Sequence, residues 1–508
     1  MDMVRMRARK PLERHCVPRL ALTLALLLPA SVFAQEVTVT PLLNAELTWT
    51  DNAGVGRDKD DDFILEVSPG ISVLRTSGRF NGALSANLRN VMYADASERN
   101  SSFLTLNGRG EFEAIEDFLF VDLGASIGRN NLSAFSGRSS GDRLSTDKRS
   151  ETRTWSIGPR LEFSLGGDAR GSVRYLSRWI DSGSQGLGDQ HLQRWTAEAS
   201  DPTAFGRVGW GLSYTRSDSK TDSESTRDRT SDIGRATVFL NVSPQLRLRG
   251  IAGYEANDYE DRSGDSSSIY GAGFDWYPTE RTAVSATYED RIFGNGYDLS
   301  VSHRMSRSTW FLSASRDISS VADSLGSTPY IDGDCVNTLV RDPLFRPDLS
   351  DEIERFSAAL LECFGVAELR SNAYFVQRSV RGGFSVLGVR NTLTFSVSRS
   401  DRSRISDITG LPTNDDFLVT NHIRTTSVNA SLSHRLSGLS TLVGSVTRSE
   451  SESLDDAGLD TRRWLATLSL NRQLGPRTQG SLRYRHQRSE GSDDFTENSI
   501  TAAVGMRF

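Results

Sequence analysis

Beyond residue 34, apolar and polar residues alternate in runs of about 9–14 positions, and the runs come in pairs. Leu43, Ala45, Leu47 and Trp49 alternate with Asn44, Glu46 and Thr48; after a loop from Asp51 to Asp61, Phe63, Leu65, Val67, Pro69, Ile71 and Val73 lead to a turn at Thr76-Ser77-Gly78. A period of two places successive side chains on opposite faces, which predicts strands. Short turns are expected near Glu116-Asp117, Gly166-Gly167-Asp168, Asp201-Pro202, Ser243-Pro244, Pro278-Thr279, Ser306-Arg307, Gly388-Val389, Ser437-Gly438 and Gly475-Pro476. Longer acidic, Ser-rich loops separate them, near 95–101, 130–150, 181–190, 217–230, 258–267, 291–296, 317–370, 401–420, 450–460 and 489–495. Strict alternation of short turn and long loop is the asymmetry of outer-membrane barrels. The chain therefore reads as all-β: one transmembrane antiparallel up-and-down β-barrel of about 22 strands (18–24, since 187–200 and 371–387 are weak), with short periplasmic turns and long extracellular loops.

The final run, Ile500 to Phe508, sharpens that picture. Ile500, Ala502, Val504, Met506 and Phe508 would face lipid, with Thr501, Ala503, Gly505 and Arg507 facing the lumen. Phe508 is expected to be the barrel-closing C-terminal signal, on a last strand that pairs with the first. Aromatic girdles are expected from Trp49, Trp155, Trp179, Trp195 and Trp464 toward the loops, and from Trp276 and Trp310 toward the turns; Trp210 reads as nearer mid-strand. Pro69 and Pro159 interrupt alternating segments, where each forfeits a ladder hydrogen bond, and are expected at bulges. A propeller would repeat a blade motif at about 40–45 residues, and no such repeat is present.

The first 34 residues have the grammar of a cleaved signal peptide. Arg5, Arg7, Arg9, Lys10, Arg14 and Arg19 precede the apolar stretch Leu20 to Leu28, and Val32-Phe33-Ala34 is a small-residue cleavage site. Localisation in a Gram-negative outer membrane follows. Hydrophobic content of 37% and mean hydropathy of −0.40 look soluble, but polar lumen-facing residues dilute the apolar ones in any such barrel. Without the signal, 53 basic residues stand against 63 acidic, a net charge of −10 that argues against nucleic-acid partners. Lysine occurs only at 10, 59, 148 and 220, so the cations are nearly all arginine. Once Cys16 leaves with the signal, Cys335 and Cys363 form an even pair in an oxidising compartment, and a disulfide is the economical expectation.

Parity sorts the remaining chemistry. Val173, Tyr175 and Trp179 share one face, leaving Arg170, Arg174 and Arg178 on the other; Arg247, Arg249 and Glu255 oppose Leu246, Leu248, Ala252 and Tyr254; Arg483 and Arg485 oppose Leu482 and Tyr484. Those seven arginines are the predicted lumen lining. Arg89, Arg109, Arg160, Arg207 and Arg235 join them, and Glu46, Glu66, Glu111, Glu113, Asp122, Glu162, Asp275 and Glu289 share the side. An arginine ladder facing a carboxylate row would orient polar or anionic solutes; otherwise the charges only solvate and brace a wide wall. Ser-His-Arg recurs at 302–304 and 433–435. A lipid-cleaving Ser–His pair is one reading, but both histidines fall on the lipid-facing parity, which favours interfacial anchoring. No histidine spacing suits a metal and no cofactor motif appears. Within 317–370, Ser350 is placed to cap a helix over 351–364, which a Cys335–Cys363 bond would pin as a pore-narrowing element, a partner cap or a braced loop. Acidic tips (Asp58, Asp60, Asp61, Asp62; Asp415, Asp416; Asp455, Asp456; Asp493, Asp494) suit divalent bridging to lipopolysaccharide, or simply solvated loops.

Several patches resemble the outer-membrane barrel family associated with the PEP-CTERM/exosortase system. They are Thr50-Asp51-Asn52, Ser68-Pro69-Gly70, Phe293-Gly294 with Tyr297, Leu299 and Ser302-His303-Arg304, and Arg390-Asn391-Thr392. They run in order across most of the chain but mark turns and strand starts, so no catalytic residue is carried over. The cysteine-bearing loop lies outside the pattern. The resemblance implies a barrel that helps export exopolysaccharide or surface proteins. The function expected is a porin-like channel for a polar polymer, with a non-conducting scaffold or receptor as the alternative and a hydrolase least favoured. Expected partners are outer-membrane lipid, lipopolysaccharide, the barrel-assembly machinery, and exopolysaccharide or export proteins.

Overall fold

The structure, a computed structural model, describes residues 37–131, 133–135, 149–183, 189–221, 228–259, 265–320, 371–406, 411, 415–455, 457–491 and 494–508. The signal segment, the helix expected over 351–364, and Cys335 and Cys363 lie outside the described residues. The strands are β1 (Val37–Thr50), β2 (Asp62–Ser77), β3 (Phe80–Tyr93), β4 (Ser101–Ile115), β5 (Leu119–Asn131), β6 (Arg149–Gly166), β7 (Ala169–Ser182) and β8 (Gln190–Phe205). They continue as β9 (Val208–Thr221), β10 (Arg229–Ser243), β11 (Leu246–Asn257), β12 (Asp265–Thr279), β13 (Thr282–Arg291), β14 (Gly294–Arg304) and β15 (Ser308–Ser320). The last seven are β16 (Tyr374–Leu387), β17 (Asn391–Arg404), β18 (His422–Ser437), β19 (Ser440–Ser453), β20 (Asp460–Gly475), β21 (Thr478–Gly491) and β22 (Phe495–Arg507). Each pairs antiparallel with the next, and β22 returns to β1, so the 22-stranded sheet is a closed barrel.

Closure follows the register of the final run. Thr48 opposes Thr501 and Leu42 opposes Arg507, and the Phe508 backbone N–H donates to the Pro41 carbonyl at 3.0 Å. Ile500, Val504, Met506 and Phe508 face outward, while Thr501 and Ala503 are buried inside. At the loop end the seam is fastened by Thr50-Asp51-Asn52. Asp51 accepts the backbone N–H of Asn498 at 2.6 Å, and the Asn52 side chain, fully buried, donates to the carbonyls of Gly56 and Thr496. Thr50-Asp51-Asn52 is thus a structural clasp.

Large hydrophobic residues dominate the outer face, including Leu47, Phe63, Leu212, Val238, Leu432, Leu468 and Leu482, each close to half exposed. This greasy band places the protein in the Gram-negative outer membrane. Trp155 and Trp179 oppose each other directly near the loop end, and Trp195 lies 4.6 Å from the Tyr175 ring. Trp210 is not mid-strand: it is the third residue of β9, beside the turn, and joins Trp276 and Trp310 in the lower girdle.

Several sequence expectations are corrected. The turn expected at Asp201-Pro202 lies at Gly206-Arg207, where Gly206 takes φ +75°; Asp201 and Pro202 sit instead at a bulge within β8, and Arg207 belongs to the turn rather than the wall. The Asp201 carboxylate accepts the N–H of Thr203 at 3.0 Å, which makes local turn chemistry without a turn. Neither Pro69 nor Pro159 causes a bulge. Register runs unbroken through Leu43–Pro69 and through Val121–Pro159. The β2–β3 and β6–β7 ladders merely skip two rungs at those prolines and resume in step. The loop expected over 291–296 is only Ile292-Phe293, between the two shortest strands of the wall.

Candidate functional site

Along the wall, the arginines read as inward from the sequence are matched by carboxylates. Arg247 and Arg249 both reach Asp275, at 3.0 and 3.1 Å. Arg174 is salt-bridged to Asp122, Arg160 to Glu111 and Glu162, Arg235 to Glu289 through two nitrogens, and Arg89 to Glu66. Arg485 donates to Glu497, whose side chain is fully buried. Arg178 and Arg483 are buried in the inner face, and Arg170 stands exposed beside the turn that begins β7. A cationic ladder facing a separate acidic row is therefore not what the lumen contains. The acids lie from the same strand to three strands away from their arginines, since the long guanidinium side chain reaches over intervening strands, as from Arg174 on β7 to Asp122 on β5 and from Arg235 on β10 to Glu289 on β13. The field across the lumen is cancelled locally.

Sequence parity misses the most buried pair. Arg291, 3% exposed, donates to Glu255 at 2.7 Å and lies 3.4 Å from Glu289; Glu255 also accepts the backbone N–H of Ile292. From the sequence, Arg291 opens a loop. The signal available is Phe293-Gly294: Gly294 takes φ +88°, allowing a tight turn that keeps Arg291 in register on the wall.

The second inward feature is apolar and lies at the loop end. Phe135 and Ala134 from the β5–β6 connection, Ile180 near the end of β7, Ala373 and Phe375 at the start of β16, Phe417 before β18 and Ile423 within it form one buried cluster. Ile180 and Phe375 are nine strands apart in the sheet, nearly opposite around a round barrel. A 22-strand barrel is about 40 Å across if round, so these ends are drawn together across the mouth. Polar contacts make the same crossing. Gln190 of β8 donates to the Asn372 side chain at 2.5 Å, Arg229 of β10 donates to the Asn372 carbonyl at 3.0 Å, and Tyr259 stacks on Tyr374 at 4.3 Å. On the far side, the Thr461 hydroxyl of β20 donates to the Phe135 carbonyl at 2.6 Å.

Asp415 and Asp416, expected as loop-tip acids, hold this cluster together from within. The Asp415 carboxylate accepts the Ser371 hydroxyl at 2.7 Å and the N–H groups of Asn372 and Phe417, and Asp416 accepts the Ala134 N–H at 2.6 Å. Burial, opposed by those donors and reinforced by neighbouring Asp416, raises Asp415 to about 6. Two other expected tips are likewise caps. Asp62 accepts the N–H groups of Ala94, Asp95 and Ala96; Asp455 binds Ser453, Thr420 and Asn421, whose donors outweigh its burial and hold it at about 2. Divalent bridging by these four residues is excluded by their internal partners, whereas Asp60 and Asp494 pair with Arg99 and Arg57 at the surface.

The repeated Ser-His-Arg triplets make no catalytic pair. Ser302 and Ser433 point to the face opposite His303 and His434, which lie on the lipid side with Trp310 and Leu432. His303 Nδ1 bonds the Thr282 hydroxyl at 2.8 Å and His434 Nδ1 bonds Asn391 at 2.5 Å, each clamping the start of a neighbouring strand at the turn-side interface. Among the described residues no three His, Cys, Asp or Glu side chains converge as a metal site.

No family model and no curated protein matches the sequence. Among solved structures, the chain is similar to a mutant of the ferric enterobactin receptor PfeA of Pseudomonas aeruginosa, at 9% identity and TM-score 0.48, covering 93% of this chain and 81% of that one. It is similar to the siderophore receptor PirA of Acinetobacter baumannii, at 9% identity and TM-score 0.49 over 93% and 81% of the two chains. The FrpB iron transporter of Neisseria meningitidis (F5-1 variant) gives 11% identity and TM-score 0.49 over 92% and 81%. Likeness at this level carries no functional information.

Proposed function

We propose that the protein is a gated, porin-like outer-membrane channel for a polar polymer such as an exopolysaccharide, shut at its loop-side mouth. The observation that carries this reading is the apolar cluster joining Ile180 to Phe375 and Phe417 from distant parts of the wall. A lumen this large lined by charge-paired arginines, serines and threonines offers hydrogen-bonding surface without a net field, which suits a neutral or weakly charged sugar chain passing through. The resemblance to PEP-CTERM/exosortase-associated barrels supports the choice of surface polymer as cargo. Planar-bilayer recording tests it: the wild type gives low conductance, and Phe375→Ser with Phe417→Ser raises it about tenfold or more. No current from either protein, correctly folded, rejects a pore.

A second reading has its own observation. Leu418 and Val419 stand exposed on the loop side, directly beside the buried Phe417. That apolar tip suits a non-conducting receptor or scaffold that assembles surface polymer through its loops. Normal polymer with Leu418→Ser and Val419→Ser, and no partner recovered from cell-surface pull-downs, counts against it.

A further inference from the structure

The turn-side rim repeats one feature that neither reading uses. Hairpin turns offer a backbone carbonyl to the next strand along the sheet, and in six turns the residue at that place is arginine. Arg79, Arg207, Arg281, Arg307, Arg390 and Arg477 each accept a neighbouring strand's N–H in this way, at 2.7 to 2.9 Å. The backbone is fixed in the ladder while all six residues stay exposed, and among the described residues none of the six is held by an ion pair. From β14 to β22 the turns themselves (305–307, 388–390, 438–439 and 476–477) carry no acidic residue. Apolar side chains share these tips: Phe205 is 78% exposed, Val389 83% and Met305 52%.

The lower girdle gives their depth. Arg207 and Arg307 each stand three residues before one of its tryptophans, Trp210 and Trp310. Three residues are about 10 Å of strand, or roughly 7 Å along the membrane normal at the usual tilt. That is about the thickness of one headgroup layer outside the hydrocarbon core. With the tryptophans at the membrane–water interface, the arginines lie level with phosphates. We propose that this ring binds net-anionic phospholipid of the periplasmic leaflet, phosphatidylglycerol in its chemistry. Arginine's planar fork matches phosphate oxygens with two parallel hydrogen bonds. A zwitterionic headgroup adds an ammonium, which finds no carboxylate in the turns from β14 onward. Consecutive turns are two strands apart, about 10 Å, so one small anion cannot bridge them but a layer of headgroups meets each in turn. The exposed Phe205, Val389 and Met305 favour a bilayer over a water-soluble polyanion, since basic and apolar side chains together are what an interface takes up.

The test uses the purified full-length barrel in detergent. Native mass spectrometry compares retention of phosphatidylglycerol with that of phosphatidylethanolamine carrying the same acyl chains. The ring variant combines Arg207→Gln, Arg307→Gln, Arg390→Gln and Arg477→Gln, which leave the backbone bonds in place. A control removes equal charge from the loop side, through Arg153→Gln, Arg216→Gln, Arg448→Gln and Arg488→Gln, all about half exposed. Heat-modifiability on gels confirms that each protein is folded. Wild type and control are expected to prefer phosphatidylglycerol by about tenfold or more, and the ring variant to show no preference. No preference in the wild type, an unchanged preference in the folded ring variant, or equal loss in ring variant and control overturns the site. Arginine-dependent sedimentation with isolated peptidoglycan, without any lipid preference, overturns the assignment of its occupant.

Discussion

Two regions of the interior bury carboxylates, and they satisfy them in opposite ways. Along the wall, Glu255, Glu289 and Glu497 each rest against arginine. At the mouth, Asp415 is held by a serine hydroxyl and two backbone N–H groups, all uncharged. An arginine-paired acid has its charge met by a neighbouring cation, so the wall is a fixed brace. An acid held only by neutral donors is pushed toward its protonated form by burial, and Asp415 sits at about 6. The wall is therefore braced by paired charges, and the closure is built to respond to pH.

The most damaging way to break that contrast is to strip a wall acid of its cation. Arg291→Met leaves Glu255 buried without its arginine, and about 3–5 kcal/mol of unfolding free energy should be lost. Denaturant unfolding in detergent measures it, and Arg291→Met with Glu255→Met should recover most of the loss. Next comes the mouth: Phe417→Ala removes a fully buried ring at a cost of about 3–5 kcal/mol. That loss should appear as faster hydrogen exchange at 371–375 and 415–420, with the barrel's heat-modifiable gel shift unchanged.

Acidity gives the sharper discrimination. The folded value of Asp415, about 6, lies above its ordinary 3.8, so the closed mouth holds a proton that an opened, solvated Asp415 releases. Closure should strengthen as pH falls through about 6 and reach its full strength near the ordinary value of 3.8, with the unfavourable charge fully felt at pH well above 6. Conductance should therefore drop from about pH 7 to about pH 5, and Asp415→Asn should be low and flat across that range. The smallest effect belongs to surface pairs outside both regions. Arg153→Gln breaks the exposed contact with Glu151, and a change below about 1 kcal/mol is expected.

The wall is largely legible in the sequence because period-two alternation fixes faces without reference to partners. Parity alone puts Arg174, Arg247 and Arg485 on one face and His303 and His434 on the other, and the ladders pair strands continuously through those positions. What parity lacks is position along the neighbour. It says that Arg247 and Asp275 share a side but not that they share a rung, so local pairing looks like two opposed rows. The mouth is hidden for a different reason. Phe135, Ile180, Phe375 and Phe417 are scattered over 282 positions, and nothing local in any of them announces the others. Asp415-Asp416 resembles every other acidic loop, since a sequence does not distinguish a solvated carboxylate from one enclosed by N–H donors.

The clasp between β1 and β22 has a consequence for how such a molecule is made. Every other strand pair joins strands adjacent in the chain, but across this seam Thr48 meets Thr501 from 453 residues away. Hairpins can be added one after another, yet until the two outermost strands meet, the growing object is an open curved sheet with two raw edges. Bare peptide groups on those edges have no water to bond inside a bilayer. Closing the seam is what satisfies those groups, and Asp51, Asn52 and Phe508 contribute the contacts at its two ends.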